Sequence, residues 1–216
     1  MKHLHYTSLD STQDEILNHL ESNLDEDYFL LSSDQQTNGR GRHQRVWDQT
    51  PSGLFLSMII PPANTITLST LEISLLICEY FNQNLKVKWP NDIYTEDLKK
   101  CAGVLVDVKQ EKLIAGIGIN TKSNQSYGHI KLKSSLTSKE LAYNLAQYIS
   151  QNRASDSVII DNWNELCLHL NKDVEIQDFD QSYIGKFQGI GLNGQAILKM
   201  NNKVKEFYSG SLKLIS

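Results

Sequence analysis

Apolar residues at Ile16, Leu17, Leu20 and Leu24 recur at helical spacing. Thr12, followed three residues later by Glu15, predicts a capping box that opens this first helix. His3 to Leu9 before it and Tyr28 to Ser32 after it read as short strands. Ser33 to Pro51 then breaks the pattern. It is long, polar and glycine-bearing, so it reads as a loop, and a loop of that length in a compact domain is usually functional or disordered. Gly53 to Ile60 is a buried strand stopped by Pro61-Pro62. Ser69 with Glu72 predicts the cap of a second helix running to about Asn84, and Lys86 to Trp89 a strand ended by Pro90. Gly103–Val108 and Leu113–Ile119 read as strands paired around a turn at Gln110-Glu111. Thr137 with Glu140 caps a third helix. Asp156 to Leu170 reads as a fourth, with Val158, Ile159, Trp163, Leu166 and Leu170 on its inner side.

The pattern changes after His169. Val174–Ile176 and Gly185–Ile190 are short and strand-like, Asn193-Gly194 is a hairpin turn signal before Gln195–Lys199, and Val204–Ile215 closes the chain. Tight turns and short strands over 169–216 predict a small SH3-like β-barrel behind a main domain over 1–168. The main part mixes strands and helices without regular βαβ alternation. That favours an α+β layer structure over a doubly wound parallel sheet.

Composition adds exclusions. The 216 residues suit one medium domain with a small appendage, and 40% hydrophobic residues support an ordinary core. A net charge of -4 gives no global basic field for nucleic acid. No apolar run approaches a membrane span, and Met1–His5 leads straight into polar sequence, without a secretory signal. Cys78, Cys101 and Cys167 each lie in an apolar stretch and form no C-x-x-C, so they read as buried free thiols of a reducing, cytoplasmic compartment. His3-x-His5 has no third metal ligand in view and reads as a solvated face.

Arginine usage is more informative. Of 21 basic residues only Arg40, Arg42, Arg45 and Arg153 are arginines, and three of these fall in one glycine-bearing loop. Arginine offers a rigid fork of donors that matches phosphate and carboxylate. Gly39-Arg40-Gly41-Arg42-His43-Gln44-Arg45 is therefore a phosphate-handling loop, although it is neither a Walker loop nor a dinucleotide fingerprint. Lys88-Trp89-Pro90-Asn91-Asp92 presents a polar pair past a strand end, suited to a ribose, amine or hydrated magnesium. Lys99-Lys100 offers a lysine to a carboxylate or a transferring phosphoryl group. Gly116-Ile117-Gly118-Ile119-Asn120 lets a group pack flat on a strand beside an amide. Read singly, the last three segments have bland alternatives: a plain turn, two surface lysines and a strand kink.

In order along the chain these segments resemble one family. Ser11-Thr12-Gln13, Gln36, Gly39-Arg40-Gly41-Arg42 through Trp47, the KWPND run, Lys100 with Gly103, and Gly116 to Asn120 are similar to a biotin–protein ligase, over the whole chain. The resemblance implies a class II synthetase-like mixed sheet with an SH3-like C-terminal unit. It implies activation of biotin by ATP to biotinyl-5′-adenylate, then transfer to a lysine of a biotin carboxyl carrier protein, with magnesium arriving on ATP. It implies Ser11, Thr12, Gln13, Gln36, Arg40, Gly41, Arg42, Lys100 and Gly103 at biotin, and Arg42, Arg45, Trp47, Lys88, Asn91 and Asn120 at the nucleotide. Lys100, Arg40 and Arg42 would act on the reacting groups. One residue inserted between Asp92 and Lys100 leaves Lys99 as the alternative pocket lysine. His43 and Gln44 replace an arginine and a glycine of the usual family loop, which implies a stiffer loop.

Ser11-Thr12 stands ten residues from the start, which leaves no room for the DNA-binding domain of some relatives and implies a ligase that is not a repressor. Lys131–Lys133 and an edge strand of the main sheet are candidate carrier contacts. A homodimer is a further option. The nearest rival is a lipoate–protein ligase or octanoyltransferase of the same fold. A rival of another class is a non-catalytic biotin-binding or regulatory protein.

Overall fold

The computed structural model describes residues 1–22, 28–42, 45–47, 53–132, 135–201 and 203–215. Leu24, His43, Gln44 and Lys133 of the sequence reading lie outside the described residues. The first sheet has seven strands: β1 (Lys2–Tyr6), β2 (Phe29–Ser33), β3 (Gly53–Ile60), β4 (Leu85–Lys88), β5 (Asp92–Thr95), β6 (Lys100–Lys109) and β7 (Lys112–Asn120). Their order is β1-β2-β3-β7-β6-β5-β4. β1 and β2 run parallel and every other neighbouring pair antiparallel. The α+β architecture expected from the sequence is the one observed.

Alternation along the strands sends side chains to both faces of this sheet. Phe29, Leu31, Ile59 and Ile114 point to one face and pack with Ile16 and Leu20 of α1 (Thr12–Ser22). Leu30, Leu54, Leu56 and Met58 point to the other, against α2 (Ser69–Phe81) and α3 (Ser138–Gln151). The second sheet comprises β8 (Asp173–Asp178), β9 (Gln181–Ile190), β10 (Ala196–Met200), β11 (Lys203–Phe207) and β12 (Ser211–Leu214), all antiparallel in the order β11-β10-β9-β8-β12. This small antiparallel unit is consistent with the SH3-like expectation. Its Val174, Ile176, Phe187 and Leu198 join the same apolar cluster as Trp163 of α4 (Asp156–Leu166).

Several local expectations are corrected. The first strand ends at Tyr6, not Leu9. Ser11, not Thr12, caps α1: its hydroxyl accepts from Asp14 N–H at 3.3 Å. Ser69 makes no cap, because Leu68 holds that position and the Ser69 hydroxyl accepts from Ala63 N–H instead. α2 stops at Phe81, where Asn82 turns left-handed at φ 45°. Asp92 is not in a bare turn but starts β5, which pairs with β4 and β6. α4 ends at Leu166, since Leu168 N–H leaves the helix to donate to Val87 O at 2.9 Å. Ile159 and Trp163 are its buried residues, while Val158 is exposed. Thr137 and Glu140 do form both bonds of a capping box on α3. Gln110 and Glu111 form the β6–β7 turn, both with positive φ.

Candidate active site

Where residues 40–42 and 45–47 face the second sheet, the chain lines a cavity of about 510 Å³. Every site residue expected from the sequence lines it. Its floor is the β6–β7 pair, where Gly103 lies opposite Gly118. The Trp47 ring rests on these two glycines: a Cβ at either would stand 2.9 Å from the ring. Any other residue there would lift the indole off the sheet. Gly116 is filled in the same way by the Gln13 side chain.

The start of α1 forms one wall. Thr12 N–H donates to Gln36 Oε1 at 2.7 Å, fixing that amide's orientation. Gln13 Nε2 donates to Asp107 Oδ2 at 3.0 Å and Ile114 O at 3.2 Å, while Gln13 Oε1 accepts from Ser57 Oγ at 2.9 Å. The Gln13 amide thus spends its hydrogen bonds inside the protein and shapes the pocket.

The loop folds back on itself. Arg40 and Val46 form an antiparallel bridge, Gly41 N–H donates to Arg45 O at 2.8 Å, and Trp47 N–H to Gly39 O at 2.7 Å. Arg40 Nη2 lies 2.5 Å from Asp107 Oδ2 and its Nε 3.0 Å from Asp14 Oδ1. Arg42 Nη1 donates to Gly210 O at 3.3 Å and Asn91 Oδ1 at 3.4 Å, spanning from the loop to both sheets. Burial pulls the Arg42 pKa below its usual value, opposed by the Asp92 charge.

The far wall carries the remaining cations. Lys100 Nζ lies 2.6 Å from Asp92 Oδ1 and 5.0 Å from the Trp47 ring centre. Lys100 lines the cavity, whereas the Lys99 Cβ packs towards Gly128. Lys88 Nζ donates to Tyr94 Oη at 3.2 Å. Burial lowers the Lys88 pKa and raises that of Tyr94 to about 12. Asn91 Nδ2 donates to Val104 O at 2.9 Å, and Asn120 Nδ2 to Gly128 O at 3.2 Å. Arg45 also lines the cavity.

Sequence reasoning missed Asp107, Ser57, Asp92 as the partner of Lys100, and the rim made by Gln177 and Gly210–Lys213. Asp107 carried a usable signal: Gly103, Leu105 and Asp107 share one face of β6 by the two-residue period. The Gly210–Lys213 rim carried none, because it meets Arg42 only across the folded chain.

Residues 6–124, more than half of the chain, match the Biotin/lipoate A/B protein ligase family. The chain belongs to this family. Among curated relatives it is similar to the bifunctional ligase/repressor BirA of Bacillus subtilis, 27% identical over 243 residues, covering 99% of this chain and 74% of that protein. BirA of Escherichia coli is 28% identical over 213 residues, covering 85% of this chain and 65% of that protein. Among solved structures, biotin protein ligase from Aquifex aeolicus in complex with biotin and ATP superposes with a TM-score of 0.78 at 25% identity, covering 99% of both chains. Among the described residues, no helix is long and apolar enough to cross a membrane.

Proposed function

We infer that this member of the family is an ATP-dependent biotin–protein ligase. One observation carries the reading. A single cavity gathers the arginine loop, the KWPND turn, Lys100 and the glycine floor under Trp47, in a chain similar over its full length to a ligase solved with biotin and ATP. Such a cavity, with cationic and amide groups converging beside the apolar Trp47 and its glycine floor, suits a small acid and a nucleotide side by side.

In the first step a carboxylate oxygen of biotin attacks the α-phosphorus of ATP. The bond to the bridging oxygen breaks, giving biotinyl-5′-adenylate and pyrophosphate. Arg42 and Lys100 face the space where this negative charge builds, and fixed donors in a water-poor pocket stabilise it best. Trp47 offers its face to the adenine. Lys88, Asn91, Asn120 and Arg45 surround the nucleotide side. Ser11, Thr12, Gln36, Gly41 and Gly103 border biotin, and Gln13 sets that wall's shape. Magnesium arriving with ATP would screen the charge of the leaving pyrophosphate. In the second step the neutral amine of a carrier lysine attacks the acyl carbon of the mixed anhydride and AMP leaves. Residues 1–168 would supply the catalytic unit and 169–216 the small β-unit that rims it.

The partner is a biotin carboxyl carrier protein or domain, aligned along a sheet edge. A cytoplasmic setting fits both this partner and the free thiols, of which Cys78 and Cys101 are buried and Cys167, against expectation, only partly so, and the reading involves no nucleic acid or membrane. A homodimer is compatible with it. ATP–pyrophosphate exchange tests the reading: exchange should require biotin. Exchange with lipoate alone would transfer the assignment to a lipoate ligase, and binding of biotin without exchange would make the chain a binding protein.

A further inference from the structure

The cavity is electrically lopsided. At one end Arg40 lines the cavity with Asp107 and Asp14 behind it, so among the described residues one positive charge meets two negative ones and the local sum is -1. At the other end Asp92 pairs with Lys100 and is also the counter-charge acting on Arg42 and Lys88, three positive charges against one and a local sum of +2. A ligand carboxylate or phosphate placed at Arg40 would be the third anion there. Placed by Asp92 it meets surplus positive charge.

Asp107 does more than balance charge. Its Oδ2 takes both Arg40 Nη2 and Gln13 Nε2, so one carboxylate on β6 ties the loop to the start of α1. Asp14, one helical step further, adds a second hold on the same guanidinium. We propose that Arg40 is a staple for its loop, with Asp107 the positioning residue that holds it, and that the ligand's acid group and the nucleotide phosphate bind at the opposite, Asp92 end.

The staple can be tested without a ligand. Arg42 and Arg45 are tryptic sites within the loop, and cleavage of a native protein tracks the open population. Asp107→Asn should speed cleavage at those two sites by about tenfold, read by mass spectrometry of the full chain, since a charged bond is lost. Asp107→Glu should recover part of the protection. Arg40→Gln should match Asp107→Asn, and the double variant should cleave no faster than either single one. Loop cleavage unchanged in both single variants overturns the staple.

The placement of the acid rests on the ligase reading, and titration calorimetry with biotin and with biotinol, its uncharged alcohol, tests it. Arg40→Gln should weaken both ligands by the same factor, leaving their affinity ratio within about twofold of wild type, while Arg42→Gln should collapse that ratio. A ratio that collapses in Arg40→Gln instead returns the acid to Arg40 and overturns the placement. A wild-type chain that binds neither compound removes the ligase reading and the placement with it, while the tryptic comparison still decides the staple.

Discussion

At the residue scale, the glycine floor makes the sharpest demand. Gly118 has Trp47 against it at 2.9 Å from where a Cβ would be, and the Trp47 backbone is held by its bond to Gly39 O. Gly118→Ala should therefore tilt the indole off the sheet and raise KM for ATP about tenfold, with biotin binding less affected. Pyrophosphate exchange at varied ATP measures this, and an unchanged KM would remove Trp47 from the nucleotide wall. Lys100→Gln removes the cation paired with Asp92 at 2.6 Å, so adenylation should slow by about 100-fold at saturating substrates. A rate within a few fold of wild type would take Lys100 away from the phosphoryl group. Both residues were legible only through the ordered set of segments, since read singly alternate glycines are a strand kink and Lys99-Lys100 two surface lysines. Asp107 and Ser57 were not, although they hold Gln13 and Arg40. A polar residue on a strand acquires its partner only when distant segments close on it.

At the element scale, the same motif has two fates. Thr137-x-x-Glu140 forms its capping box, so Thr137→Ala should cost about 1 kcal/mol in urea unfolding. Ser69-x-x-Glu72 does not. Glu72 is 0% exposed and is taken by Arg153 Nε and Nη2 at 2.8 Å and by Ala154 N–H at 2.9 Å. Both segments fit the same Ser/Thr-x-x-Glu pattern. What differs is an arginine 81 positions on, whose charged bonds outweigh a cap. Arg153→Ala leaves a buried carboxylate with its charge unmatched, which predicts a loss of about 3–5 kcal/mol. A loss below that of Thr137→Ala would mean Glu72 reaches water or takes up a proton. The arginine count had set Arg153 apart from its loop cluster. That its role was structural could be seen only once α2 and the segment after α3 were side by side.

At the scale of the whole molecule, the two sheets share one apolar cluster, and His169 sits in the join. The imidazole is 0% exposed, its ring centre 4.2 Å from that of Phe187 in β9 and 6.0 Å from that of Trp163 in α4. Among the described residues neither ring nitrogen has a hydrogen-bond partner. Burial, with Lys88 and Lys172 nearby, pulls its pKa down to about 3 from 6.5. In the unfolded chain this histidine takes up a proton below about pH 6.5, while the folded chain refuses it until about pH 3. The stability it permits is complete above pH 6.5 and falls as the solution is acidified through that window, by up to about 1.4 kcal/mol per pH unit. His169→Phe keeps an aromatic ring and cannot be protonated. Urea unfolding at steps between pH 7.5 and 4.5 should show wild type losing stability faster than the variant, with the carboxylates common to both cancelling in the difference. Parallel titration of the two proteins would mean the ring is protonated in the fold. Because the cluster is continuous across the join, tryptophan fluorescence and far-ultraviolet dichroism should report one coincident transition in each protein. Separate transitions would mean that the second sheet melts alone, and the cavity rim at Gly210–Lys213 would then be lost before the catalytic floor.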